Sequence, residues 1–264
     1  MVSETWHHGL VARWWAEFNV GGPEVDYFRP FVERGQPALD AGCGTGRLLV
    51  PYLASGLDVD GCDVSGDMIA LCRERAEHAG LVPTLLVQAL HELDAPRRYR
   101  TIVVCGAFGL GSSRDEDHRA LERFYEHLEP GGTLVLDNEV PYANELLWSR
   151  WTKRGRAELP APWGPTPEPR RASDGADYAL QSRHVALDAL EQRATLAIRA
   201  YRWRDGVLEA EEEHSLTMNL YFTPELRLML ERAGFVDVQL FGDHTSEPPT
   251  SESDFVVFVA RRPL

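Results

Sequence analysis

Positive charge, lysine, cysteine and long apolar runs are all scarce in this 264-residue chain. Its 27 Lys and Arg residues face 41 Asp and Glu, a formal net charge of −14, and Lys153 is the only lysine. A protein whose main task is gripping nucleic acid needs a basic face, so the balance argues against that class. The four cysteines, Cys43, Cys62, Cys72 and Cys105, form no CxxC pair and no disulfide-rich spacing. They read as reduced, mostly buried thiols, and no metal site is expected. No run of about 18 apolar residues is present, so no transmembrane helix is expected. The opening "MVSETWHHGLVARWW" lacks the basic start and apolar core of a signal peptide. The expectation is a cytoplasmic protein with no nucleic-acid or membrane partner. No internal repeat is visible.

With 44% hydrophobic and 26% charged residues, the chain has ordinary globular composition. Its patterning predicts short helices at 10–20 and 24–34, separated by "GGP". A strand at 37–41 leads into a glycine loop and a helix over 47–56. Then follow a strand (57–65), a helix (66–80), a short strand (83–90), a continuous apolar strand (100–109), a helix (114–128) and a strand (131–141). Strands alternating with helices imply a doubly wound, mostly parallel α/β sheet, in which ligands bind at the carboxyl ends of the strands. Residues 142–222 break the rhythm. A loop at 163–177 precedes three extended segments, 178–188, 192–203 and 207–222, with "RDG" (204–206) as a hairpin turn. The last segment is expected to place Leu208, Ala210, Glu212, His214, Leu216 and Met218 on one face. A helix at 224–233 and strands at 236–241 and 254–260 then complete the core. The expected organisation is an N-terminal helical lid (1–34), an α/β core (35–141 and 223–264) and an inserted antiparallel sheet (142–222) that covers the substrate or pairs two subunits as a homodimer.

"ALDAGCGTGRLL" (38–49) carries the strongest chemical signal. Gly42, Gly44 and Gly46 bare the backbone between a strand and a helix, where a ligand can approach the main chain. A dinucleotide fingerprint would be G-x-G-x-x-G, and Arg47 stands in the place of its third glycine. A nicotinamide-dependent enzyme therefore stays open as an alternative.

"LDAGCGTGRLL" followed by "DGCDVSGDMIALCRERA", "EPGGTLVLD" (129–137) and "TPELRLMLERAGF" (223–235) resembles the class I S-adenosylmethionine-dependent methyltransferases. The resemblance covers roughly 24–141 and 223–260. It implies the seven-stranded Rossmann-like fold of that family, with S-adenosylmethionine as cofactor. The inserted sheet is similar to that of small-molecule methyltransferases of the glycine and amino-sugar kind. The resemblance implies that Gly42, Gly44 and Gly46 receive the aminoacyl part of the cofactor and that Asp40 organises the loop. It gives Asp63 both ribose hydroxyls, and Val64 and Met68 the adenine faces. Gln88, Ala89, Leu90, Cys105 and Gly106 complete the cofactor set. Relatives often carry an acid after the third strand for the adenine amino group; Ala89 stands in that place here. Tyr27 is placed to close over the cofactor carboxylate.

Transfer to N or O of a small molecule is the implied function. An amine acceptor needs no strong base if it binds neutral, whereas an alcohol needs one, usually histidine. Among His7, His8, His184, His214 and His244, His214 is the candidate base. Phe108, Leu110, Asn138, Glu139 and Tyr142 from the core and Trp14 from the lid are the substrate candidates. A non-catalytic cofactor-binding sensor or scaffold is the other alternative.

Overall fold

The computed structural model describes residues 5–264. The lid holds α1 (Gly9–Phe18) and α2 (Pro23–Arg34), the latter opened by a proline at its first position. The core runs β1 (Ala38–Ala41), α3 (Leu49–Ala54), β2 (Val59–Asp63), α4 (Gly66–His78), β3 (Leu85–Val87), β4 (Tyr99–Val104), α5 (Arg114–His127) and β5 (Leu128–Glu139). Two short helices follow, α6 (Glu145–Ser149) and α7 (Lys153–Ala157). The insertion then supplies β6 (Arg170–Arg171), β7 (Asp177–Asp188), β8 (Arg193–Arg204) and β9 (Val207–Asn219). The chain returns through α8 (Thr223–Arg232), β10 (Val236–Gly242) and β11 (Phe255–Arg261).

The core strands form one seven-stranded sheet in the order β10-β11-β5-β4-β1-β2-β3. β11 is antiparallel to both neighbours, and the other pairings are parallel. All four residues of β1 are buried, and β4 is buried except at Arg100; a central strand covered by helices on both faces has no polar side to present. Leu39, Ile102, Phe124, Leu134 and Phe258 sit at the centre of the larger core. Strand order reverses beside β1, so β1 and β4 send their following loops to opposite faces and leave a crevice between them.

The inserted strands form a separate antiparallel sheet, β6-β7-β8-β9. Its far end joins the core by main chain: Gly111 N donates to Thr217 O (2.7 Å) and Asn219 N to Gly109 O (2.8 Å). α1 packs on this sheet through Leu10, Val11 and Trp14 against Tyr178, Ile198 and Ala200. Its first turn is held by carboxylates, with Gly9 N donating to Asp67 (2.8 Å) and Leu10 N to Glu212 (2.8 Å).

Three expectations need correction. The strand predicted over 100–109 stops at Val104, because Gly106, Gly109 and Gly111 take left-handed φ values of 62°, 81° and 69° that no strand accommodates. The strand predicted over 83–90 shrinks to Leu85–Val87, and Leu90–Glu92 form a 3-10 turn. The strand over 207–222 ends at Asn219, and its alternation is broken at Glu209. Arg202 pairs with Ala210 but Trp203 pairs with Leu208, a bulge that turns Leu208 to the opposite face and leaves it 47% exposed.

Candidate functional site

A cavity lies at the carboxyl ends of β1, β2 and β4, enclosing about 1050 Å³ of space that includes open solvent at its mouth. Each wall comes from a segment that leaves a strand. Gly42, Cys43 and Gly44 follow β1. Asp63 and Val64 close β2, with Met68 on the first turn of α4. Ala89, Leu90 and His91 follow β3, and Cys105, Gly106 and Ala107 follow β4. Leu110, Ser112, Glu116 and Asp117 continue the β4 wall into α5. The lid contributes Thr5, His7, Trp15 and Asn19.

Gly42 adopts φ +82°, and a Cβ there would collide with the Ala107 side chain across the crevice. We expect Gly42→Ala to lower stability by about 1–3 kcal/mol from the left-handed backbone alone, with the collision adding to it. Urea unfolding measures this; a variant as stable as the parent would refute the close approach. Gly44 (φ +52°) and Gly106 (φ +62°) differ in kind, because a Cβ on either meets no protein atom and would stand in open space. Gly46 (φ +81°) lies outside the cavity wall and lets Cys72 and Val50 pack against the loop.

Asp63 ties two of these walls together. Its carboxylate accepts from Gly44 N (3.0 Å) and Ser65 N (2.8 Å). Burial pushes the carboxyl above its usual range, opposed by those two amides. Ser65 caps α4, accepting from Met68 N at 3.2 Å, and its hydroxyl donates to the His7 carbonyl (2.5 Å), latching the lid over this corner. His7 is spent on the lid itself. Its Nδ1 pairs with the Thr5 hydroxyl (2.6 Å) and its Nε2 accepts from the Trp6 indole (3.1 Å). Burial, then the charge of His8, lowers its pKa to about 4, so the ring is neutral near pH 7.

Asp40 sits beneath the glycine loop, 2% exposed, with no close, well-aligned hydrogen bond to either carboxylate oxygen, although the Leu49 amide is near enough to favour its charged form. Burial raises its pKa to about 7; Arg47 pulls downward and Asp63 upward. Arg47 lines the cavity and is the only Lys or Arg among its described lining residues. Its guanidinium donates to Glu24 (2.8 Å) on α2 and to Cys105 Sγ (3.3 Å). Burial, then Asp137, pushes the Cys105 thiol far above its usual range, so it remains a thiol and donates to Asp137 (3.4 Å). Asp137 also accepts from Gly106 N (2.6 Å) and meets His244 Nε2 (2.9 Å). This chain of contacts fixes the turn after β4 from three other elements.

The structure thus brings Gly42, Gly44, Asp63, Val64, Met68, Ala89, Leu90, Cys105, Gly106 and Leu110 to one cavity. Several expected residues lie elsewhere. Tyr27 faces away, its ring edge-on to Phe28 and His244 at 5.3 and 5.5 Å, in a separate groove. The Gln88 side-chain carbonyl is taken by Asp94 N (3.1 Å). Phe108 packs on Tyr221, Asn138 donates to the Tyr221 carbonyl (3.0 Å), and Tyr142 leans on Trp148. Glu139, at the end of β5, has its carboxyl raised by burial and then by Asp254, and does not line the cavity. Trp14 is consumed in the packing of α1 on the inserted sheet. His214, the candidate base, pairs with Glu212 (3.1 Å) and is not part of the cavity wall. It lies on the inward face of β9 as expected, but that face meets α1.

Sequence reasoning missed Arg47 as a wall residue, along with His91, Ser112, Glu116 and Asp117. The "SRDE" capping signature at 113–116 was readable, but it marks a helix start and says nothing of what lies opposite.

Residues 38–132 match the family model of a methyltransferase domain. A protein of Geobacillus sp. (strain WCH70) assigned as a methyltransferase is 26% identical over 227 residues, covering 85% of this chain and 83% of its own. The structure of the CcbJ methyltransferase from Streptomyces caelestis superposes with a TM-score of 0.71 at 24% identity, covering 96% of each chain. The sugar N-methyltransferase KedS8 from Streptoalloteichus sp. ATCC 53650 superposes with a TM-score of 0.65 at 18% identity, over 92% of this chain and 88% of its own. These superpositions extend through the inserted sheet and establish the architecture. No helix among the described residues is long and apolar enough to cross a membrane.

Proposed function

We propose an acceptor for what is a class I S-adenosylmethionine-dependent methyltransferase: the amino nitrogen of a small molecule of the amino-sugar kind. The nicotinamide and non-catalytic alternatives fall with the domain match. One feature of the cavity and one residue behind its wall suit the cofactor. The bare backbone at Gly44 and Gly106 leaves room for a ligand against the main chain, and Asp40, buried beneath the loop and outside the lining, has no close hydrogen bond to its carboxylate. In this reading Asp63 accepts from the ribose diol with the lone pairs that its two amides leave free. Arg47 meets the carboxylate, Asp40 faces the ammonium through water, and Val64 and Met68 flank the base.

The cofactor supplies a methyl group already activated on a sulfonium. With the cofactor bound, the acceptor nitrogen would attack that methyl with its own lone pair, displacing the sulfur, and would then release one proton. The walls align these atoms and exclude water, which can supply on the order of 7–11 kcal/mol. The observation that carries amine over alcohol is the state of the histidines. His7 is neutral with both ring nitrogens engaged, His214 stands outside the wall, and His91, the other wall histidine, turns its Nε2 towards Glu116 (3.6 Å) at what this reading makes the adenine end. A neutral amine needs no base to attack; a hydroxyl does. Resemblance to a sugar N-methyltransferase, and to an enzyme named for N,N-dimethylation of an amino sugar, supports the same choice.

The test is a panel of nucleotide-linked amino sugars and their hydroxyl analogues, with S-adenosylhomocysteine formation followed by mass spectrometry. Amino acceptors should gain one or two methyl groups, with rates that rise as the amine deprotonates. Turnover of the hydroxyl analogues alone would overturn the reading.

A further inference from the structure

We propose that Glu116, on the first turn of α5, is the residue that recognises the exocyclic amino group of the cofactor's adenine. The inference rests on the cofactor reading above, which puts the ribose at Asp63 and the base between Val64, Met68 and Leu90. Ala89, His91 and Glu116 line the same cavity, with His91 and Glu116 side by side at 3.6 Å.

An adenine amino group offers donors, so the protein must supply an acceptor. In the segment after β3, Glu92 and Asp94 do not line the cavity, and His91 turns its Nε2 towards Glu116 (3.6 Å). Ala89 and Leu90 are apolar, and the Gln88 carbonyl is committed to Asp94 N. Two carboxylates reach the cavity from α5, and their hydrogen bonds separate them. Asp117 is engaged on both oxygens. One oxygen accepts from Ser112 Oγ (2.5 Å), the other from Asn219 Nδ2 (2.7 Å) and Tyr221 OH (2.6 Å). Glu116 is half-used. Its Oε2 accepts from Ser113 N (2.7 Å), closing the capping box of α5. Its Oε1 has no hydrogen bond, with His91 Nε2 3.6 Å away and Arg119 at 3.9 Å.

The capping box therefore does two jobs. It starts the helix, and it clamps one carboxylate oxygen so that the other is held at a fixed place in the wall. An oriented ionised acceptor is a strong partner for an amino donor. The bond to the Ser113 amide holds the Glu116 carboxyl below its usual range, so it is ionised at neutral pH. The shortness of the connection after β3 makes this possible. With only the 3-10 turn Leu90–Glu92 in the way, α5 packs directly on that turn and brings Glu116 beside His91. A site built on an acceptor rejects a base that presents a carbonyl oxygen at the same place, because two acceptors then face each other.

The test compares S-adenosylhomocysteine with its hypoxanthine analogue, in which a carbonyl replaces the amino group, by titration calorimetry. The parent protein should prefer the adenine form by about tenfold or more, the scale of one hydrogen bond to a charged group. Glu116→Gln keeps an oxygen for Ser113 and offers an amide, so the preference should collapse towards unity. Glu116→Ala should lose it as well. The preference is a ratio within one protein, so a modest loss of stability in either variant does not mimic the result; thermal melting confirms that both are folded. An unchanged preference in both folded variants, with the parent binding normally, overturns the assignment and leaves the cofactor reading intact. A parent protein that binds neither nucleoside overturns the cofactor reading and the assignment together.

Discussion

Asp63→Ala should lose most of the affinity for S-adenosylmethionine. A carboxylate that accepts from both ribose hydroxyls contributes two charge-assisted hydrogen bonds, each worth about 1.5–3 kcal/mol. Their loss alone predicts a Kd increase of two to four orders of magnitude, at about 1.4 kcal/mol per tenfold. The structure adds a second cost. Asp63 also accepts from Gly44 N and Ser65 N, so its removal frees the tip of the glycine loop and the cap of α4, on which the lid is latched through Ser65. Asp63→Asn keeps one acceptor and should fall between the two. Titration calorimetry on the folded variants measures the series. An alanine variant with parental affinity would remove Asp63 from the ribose and take the proposed orientation of the cofactor with it.

Asp40→Asn should stabilise the cofactor-free protein at alkaline pH. The folded-state pKa of Asp40 is about 7, raised by burial from a usual value of 3.8. Between those two values the folded chain holds a proton that the unfolded chain has released, so stability falls as pH rises from about 4 to about 7 and then levels off. The full penalty, reached above pH 7, is at most about 4 kcal/mol at 1.36 kcal/mol per pH unit. Asparagine has the same shape and no charge to bury. Its variant should therefore match the parent near pH 4–5 and exceed it at pH 8, when urea midpoints are compared. Cofactor affinity should move the other way. A cationic group beside the ionised carboxylate repays its burial, so the parent should bind more tightly as pH rises towards 7.5, and the variant should lack that gain. Parallel stability profiles for the two proteins would show that Asp40 is ordinarily ionised, and its carboxylate's lack of a close hydrogen bond would lose its meaning.

Much of the architecture was legible in one pass along the chain. The alternation of apolar strands with capped helices fixes a doubly wound sheet, because a parallel strand buried on both faces must be apolar throughout and must be followed by a crossover. The three glycines at 42–46 and the acid closing the next strand were legible for a related reason. They follow directly from strands that are neighbours in the sheet, so their separation in sequence determines their proximity in space. The bulge at Glu209 and the early end of β4 were not visible, since both depend on which conformation the backbone takes when a partner strand or a left-handed glycine imposes it.

The aromatic and histidine candidates mark where local pattern ends. Trp14, Tyr27 and His214 were singled out by residue type, and each is held by a surface that arrives from far along the chain: the inserted sheet for Trp14, the β10–β11 loop with His244 for Tyr27, and α1 with Glu212 for His214. The sequence by itself determined the layers and the residues that leave the strand ends, because periodicity and glycine act over a few residues. Only the tertiary structure decided which polar groups still have a lone pair to offer. Asp117 and Glu116 are adjacent in sequence and alike in chemistry. Asn219 and Tyr221, about a hundred residues away, fill one oxygen of Asp117 and make no bond to Glu116, and no local rule counts hydrogen bonds across that distance.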